Sequence, residues 1–189
     1  SIKSTYRELV TLADTACRIA KGRGQGQIAH ASEADQQHEQ MMLQMTWAAQ
    51  IPQMLQQNRF MLFYQKMENL QNQNSHTEHA EILIRGLDED GQIVPPGLFL
   101  PAAERFNLIN RIDRWVARAL LDRKVPPNTL FSINLSGPSV GDQSFLKALE
   151  EWIQHSPLSS QQICFEITET AAMTDIKSAK NFISTLKAL

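Results

Sequence analysis

From Arg59 to Leu189, short apolar stretches of strand type alternate with longer segments whose apolar residues recur at helical spacing. This alternation constrains the fold more than any other property of the chain. Parallel strands need long crossover connections, usually helices, so the pattern predicts βαβ units. FMLFYQ reads as a first strand. The polar run NLQNQNSHT at residues 69–77 separates it from AEILIRG, and those two strands can pair as an antiparallel hairpin. Asp90-Gly91 and Pro95-Pro96-Gly97 mark turns. Helical stripes then run through Phe99, Ala102, Ala103 and Phe106, and through Ile109, Ile112, Trp115, Val116, Ala119 and Leu120, until Pro126-Pro127-Asn128 breaks them. The remaining order is strand 129–135, helix about 143–155, strand 162–168 and helix about 174–188.

Three of these strands each carry one oxygen ligand inside an apolar pattern: Glu81 in AEILIRG, Asn134 in FSINLSG and Glu166 in ICFEITET. Side chains alternate faces along a strand. Glu81, Leu83 and Arg85 therefore share one face, against Ile82 and Ile84. Ser132, Asn134 and Ser136 oppose Phe131, Ile133 and Leu135, and Cys164, Glu166 and Thr168 oppose Ile163, Phe165 and Ile167. Strands buried on both faces read as nearly continuous apolar runs. A carboxylate in such a place needs a partner, and a hard metal ion is a good one.

The chain has 189 residues with a formal net charge of -2, so no basic field argues for a nucleic acid polymer. A hydrophobic content of 42% suits a chain that buries a core. No apolar run is long enough to span a bilayer, and no signal peptide is visible. Cys17 and Cys164 are far apart and lack metal-ligand spacing, which fits a reducing, cytoplasmic setting. The cytoplasmic part of a membrane protein meets the same description.

Upstream, Leu9, Leu12, Ala13, Ala16, Ile19 and Ala20 form a helical stripe over 5–21, stopped by Gly22, Gly24 and Gly26. Residues 32–57 read as a second, Gln-rich helix with Met41, Met45, Ala48 and Leu55 on its apolar stripe. Pro52 is expected to kink it or start a new turn. GRGQG has phosphate-loop composition but follows a helix instead of preceding one, so it reads as a helix stop. The Met-rich helix is read as packing. His76 and His79 are read as exposed loop residues.

QKMENL, AEILIRG, GLFLPAAERFNLINRIDRW, FSINLSG and ICFEITET, in that order, resemble the EAL domain of bacterial cyclic di-GMP phosphodiesterases. Glu81-Ile82-Leu83 occupies the place of the Glu-Ala-Leu that names the family. LADTACRIAKGRGQGQI resembles the last helix and turn of a GGDEF domain. The resemblance implies three segments: a GGDEF-like remnant at 1–30, a connecting helix at 31–58, and the N-terminal half of an EAL domain at 59–189. The implied fold is α/β, a modified TIM barrel with one antiparallel strand. A complete barrel needs roughly 250 residues, and only its first half is expected here. The implied reaction is Mg²⁺- or Mn²⁺-dependent hydrolysis of cyclic di-GMP to pGpG. By resemblance, Glu81, Asn134 and Glu166 are metal ligands and Gln65 and Arg85 contact the nucleotide. Glu169 steadies the loop near the metals, and two EAL domains form a homodimer. The isolated half is expected to be inactive.

Each residue also has a plainer reading. Glu81 and Arg85 form an intra-strand ion pair, Asn134 caps a turn with Ser136 and Gly137, and Glu166 pairs with a lysine. Ile82, Lys66 and Gly86 depart from the family's usual alanine, proline and tryptophan. The departures motivate a second function: a degenerate EAL domain that binds cyclic di-GMP as a receptor without hydrolysing it.

Overall fold

A computed structural model describes residues 6–22, 26, 28, 31–68, 78–168, 173 and 175–189. It divides into two compact units, Ser1–Trp47 and Ala48–Leu189. In the first, α1 spans Tyr6–Gly22, and Leu9 and Val10 on it are 55% and 51% exposed, while Ala16, Ile19 and Ala20 are half-buried. The second helix, α2, runs Ala31–Gln56 with Pro52 inside it. The helix continues through that proline, where a kink or a new turn is expected from sequence. A proline removes one backbone donor, and the buried Ile51 and Met54 on either side hold this final stretch in place within the second unit. Met45, on the predicted stripe, is 50% exposed. Asn58, at φ 52, turns the chain out of the helix in a left-handed conformation that asparagine tolerates.

The sheet of the second unit is built from β1 (Phe60–Met67), β2 (Glu78–Leu87), β3 (Ile93–Val94), β4 (Thr129–Leu135) and β5 (Ile163–Ile167). Its order is β1-β2-β4-β5, with β3 paired to β2. β1 is antiparallel to β2, as the hairpin pattern predicts, and β2, β4 and β5 run parallel. The helices are α3 (Pro96–Arg105), α4 (Ile109–Leu121), the short α5 (Gly137–Val140), α6 (Gln143–His155) and α7 (Ile176–Lys187). This mixed sheet with its crossover helices is the α/β arrangement that the alternation of strand and helix patterns predicts.

The two faces of the sheet differ as the alternation requires. Ala80, Ile82, Ile84, Phe131, Ile133 and Leu135 are buried on the helix-covered face. Phe99, Ala102, Ile112, Val116, Leu120, Phe145, Leu149 and Phe182 from the helices meet them there. Each large side chain so buried contributes about 2–3 kcal/mol before the entropy of ordering it is subtracted. On the opposite face Gln65, Asn134 and Glu166 are exposed and Glu81 is half-buried.

Gly86 belongs to the tight face. A Cβ there would lie 2.8 Å from Met54 Cε, 3.3 Å from Val94 Cβ and 3.5 Å from Phe99 Cε1. The Met54 methyl can yield, but Val94 is fixed in β3. Gly86→Ala is therefore expected to destabilise the chain by about 1–2 kcal/mol, seen as a lower urea midpoint at unchanged slope.

Candidate functional site

Register decides which polar residues meet. Gln65 lies opposite Glu81 across the β1–β2 hairpin. Glu81 pairs with Ser132 across the parallel ladder, and Asn134 pairs with Glu166. Asn134 thus reaches Glu81 diagonally, and its Nδ2 donates to Glu81 Oε1 at 2.7 Å. Asn134 and Glu166 are each the last but one residue of their strands. They stand at the C-terminal ends of the parallel strands, the end where β/α folds place chemistry. Asn134 makes this cross-strand bond instead of capping the following turn, where Ser136 takes the N-cap place.

Arg85 shares the face of Glu81 but does not pair with it. Its Nη1 donates to the carbonyl of Ile84 at 2.8 Å, and its Cζ stands 5.4 Å from the centre of the Phe63 ring. A cleft with a volume of about 490 Å³ opens beside these residues, lined by Arg85, Asn134, Glu104, Asp113, Ser136 and Thr168 over an apolar floor that includes Leu100, Ile109 and Ile112. Glu169 lies outside the described residues, as does His76. His79 corrects the sequence reading. It belongs to β2, is half-buried, and its Nε2 is 2.7 Å from Ser132 Oγ. Strand pairing has drawn it out of the polar loop, and Ser132 beneath it is fully buried.

Among the described residues, no three His, Cys, Asp or Glu side chains converge. Glu81 inside β2, with Asn134 and Glu166 near the ends of β4 and β5, offers two carboxylates and one amide, a set suited to Mg²⁺ or Mn²⁺ and poorly suited to softer metals. With Nδ2 given to Glu81, Asn134 keeps its Oδ1 as an acceptor.

Asp113 escapes a search for polar residues on strands. It lies on α4 and is 7% exposed. Its Oδ2 accepts from the backbone N–H of Ser136 at 3.0 Å, from Ser136 Oγ at 2.6 Å and from Ser139 Oγ at 2.6 Å. Burial raises its pKa above the ordinary carboxylate value, and these hydrogen bonds offset part of that rise. One signal in the sequence points to it: an acid set among Ile109, Ile112, Val116 and Ala117, at helical spacing on the buried face.

Residues 48–189 match the family model of the EAL domain. The chain belongs to the EAL domain family. Cyclic di-GMP phosphodiesterase PdeB of Shewanella oneidensis is 32% identical over 188 residues, 97% of this EAL chain but only 22% of that protein. The crystal structure of the FimX EAL domain from Pseudomonas aeruginosa bound to c-di-GMP superposes with a TM-score of 0.66 and 32% identity. That match covers 75% of this chain and 58% of the FimX chain. The S helix-GGDEF-EAL structure of Vibrio cholerae LapD, bound to c-di-GMP, matches 100% of this chain and 45% of its own with a TM-score of 0.64. At 17% identity that is a likeness of fold alone. The chain therefore spans less than a quarter of the PdeB length and a little over half of the FimX EAL domain. No described helix of this EAL chain is long and apolar enough to cross a membrane.

Proposed function

We propose that the chain is part of a metal-dependent cyclic di-GMP phosphodiesterase that produces pGpG. The observation that carries this reading is the 2.7 Å bond from Asn134 to Glu81, with Glu166 next to Asn134 in register. Glu81, Asn134 and Glu166 would hold Mg²⁺ or Mn²⁺, which when bound supplies charge neutralisation at the scissile phosphate and an activated water. Gln65 and Arg85 contact the nucleotide. Arg85 has donors left beyond the one given to Ile84, and a guanidinium can grip a phosphate with two parallel hydrogen bonds. Glu169 steadies the adjoining loop. The segments 1–30, 31–58 and 59–189 act as GGDEF-like remnant, connecting helix and first half of the EAL domain. The parent protein works in the cytoplasm and dimerises through its EAL domains.

The test is hydrolysis of cyclic di-GMP by the full-length parent protein, followed by chromatography of pGpG. Turnover is expected with Mg²⁺ or Mn²⁺ and none after chelation. Binding of cyclic di-GMP with no turnover under any metal would replace this reading by the second, a receptor. The second reading has its own observation. Lys66, which departs from the family pattern, is tied to Glu78 at 2.7 Å on the hairpin that carries Gln65.

A further inference from the structure

We propose that Asp113 is a positioning residue that fixes where the Asn134 side chain stands. Its functional meaning rests on the reading of Asn134 as a metal ligand, while the geometry stands without it. Ladder pairing between β2 and β4 ends at Ile82–Ile133. Asn134 is the next residue, so on the β2 side no backbone pairing holds it. It must nevertheless keep its amide within hydrogen-bond reach of Glu81. The turn that begins at Ser136, two residues on, sets its direction. That turn is weak by itself. α5 is only Gly137–Val140, a single turn too short to be stable alone.

Asp113 supplies the missing anchor. Ser136, although it occupies the N-cap place of α5, makes no side-chain cap bond; it gives both its hydroxyl and its N–H to Asp113. Ser139, with no exposed surface, adds a third bond. An isolated buried carboxylate is costly, and an apolar residue would complete the stripe of Ile109, Ile112 and Val116 without that cost. Among the described residues, no salt bridge reaches Asp113. Its three bonds all go to the turn after Asn134. A plain brace would be served by any well-packed side chain. A carboxylate fixes the direction of the turn, and an error of about 1 Å in a ligand's place is enough to cost activity a hundredfold.

The experiment is nitrogen–proton correlation spectroscopy of the chain, with the Asn134 side-chain amide pair assigned through Asn134→Ala. In Asp113→Asn and Asp113→Ala that pair is expected to move to the position of a free amide and to exchange with water about tenfold faster, while the backbone signals of β2 stay in place. Ser136→Ala combined with Ser139→Ala removes the hydroxyl donors without touching α4 and is expected to move the pair in the same direction. An unmoved Asn134 pair in any of these folded variants overturns the proposal. In the full-length parent, Asp113→Asn is expected to weaken Mn²⁺ binding about tenfold to a hundredfold while changing metal-free cyclic di-GMP binding less than twofold. Equal losses of both would mark a merely structural role. If the wild type binds no Mn²⁺, the metal reading fails and the amide signal still decides the positioning role.

Discussion

Glu81→Ala in the full-length parent protein is expected to lower metal-dependent hydrolysis of cyclic di-GMP about a thousandfold, equivalent to about 4 kcal/mol of transition-state stabilisation. The size follows from what is removed. Glu81 is half-buried and accepts from Asn134, so under the proposed function its loss deletes one carboxylate of the metal site and leaves the Asn134 amide without the partner that orients it. Effects of residues that act as a unit do not add. Glu81→Ala and Asn134→Ala together should therefore be little worse than Glu81→Ala alone. Glu81→Gln keeps a hydrogen-bond acceptor for Asn134 and removes only the charge. It is expected to lose nearly as much turnover while retaining the chain's thermal midpoint. Steady-state rates at saturating Mn²⁺ check both statements, and Glu81→Ala turnover within tenfold of wild type would remove Glu81 from the site.

Asp142→Ala is expected to cost about 2–3 kcal/mol of stability, by far more than an ordinary surface substitution. Asp142 is the N-cap of α6. Its Oδ1 accepts from the N–H groups of Ser144 at 2.8 Å and Phe145 at 3.2 Å. Its Oδ2 accepts from Arg114 Nη2 at 2.9 Å and from Asn110 Nδ2 at 3.1 Å, tying α6 to α4. Loss of the cap is worth about 1 kcal/mol, and the ion pair, about 30% exposed on each side, up to about 1 more. The orphaned hydrogen bonds of Asn110 and Ser144 supply the rest. Arg114 also lies over the Phe145 ring at 5.1 Å, so its displacement loosens a fully buried aromatic.

The same residue predicts a pH dependence. Partial burial pushes the Asp142 carboxyl upward, but the hydrogen bonds from Arg114, Ser144 and the backbone of Phe145 outweigh it and hold the group well below the ordinary carboxylate range. A pKa lowered by folding adds stability that is complete above the unfolded value of about 3.9 and is lost as pH falls through the folded value. The gap between wild type and Asp142→Ala in urea unfolding should therefore be full at pH 7 and narrow in acid. Asp113 has the opposite sign. Its raised pKa gives a contribution present at low pH that is lost as pH rises through the folded value.

Much of the fold is legible in the chain because it is local. Strand β4 at Thr129–Leu135 and helix α6 at Gln143–His155 fall on the residues that periodicity and breakers predict. Pro126-Pro127-Asn128 and Asp142 set their starts by short-range rules. The alternation also sorts the faces correctly, with Ile82 and Ile84 buried and Glu81 and Arg85 on the other side. His79 was not legible. A polar run precedes it, and only backbone pairing with Met67 and Leu130 makes it part of a strand, with Ser132 Oγ, 53 residues away, in hydrogen-bond reach of its ring.

The amino-acid sequence by itself determined the main strands and helices of the second unit, the sheet face that holds Glu81, Asn134 and Glu166, and through its motifs the resemblance to the EAL family. The elements and faces follow from steric alternation and backbone preference over a few residues, and the family from the resemblance of its motifs. Only the tertiary structure decided that Glu81 stands opposite Ser132 and reaches Asn134 diagonally, that Arg85 turns to Ile84 and Phe63, and that Asp113 binds the turn after β4. Period-2 alternation fixes the face of a side chain but says nothing of its partner, because any even shift between strands preserves the pattern. It is the register, set between strands far apart in the chain, that brings Glu81, Asn134 and Glu166 side by side.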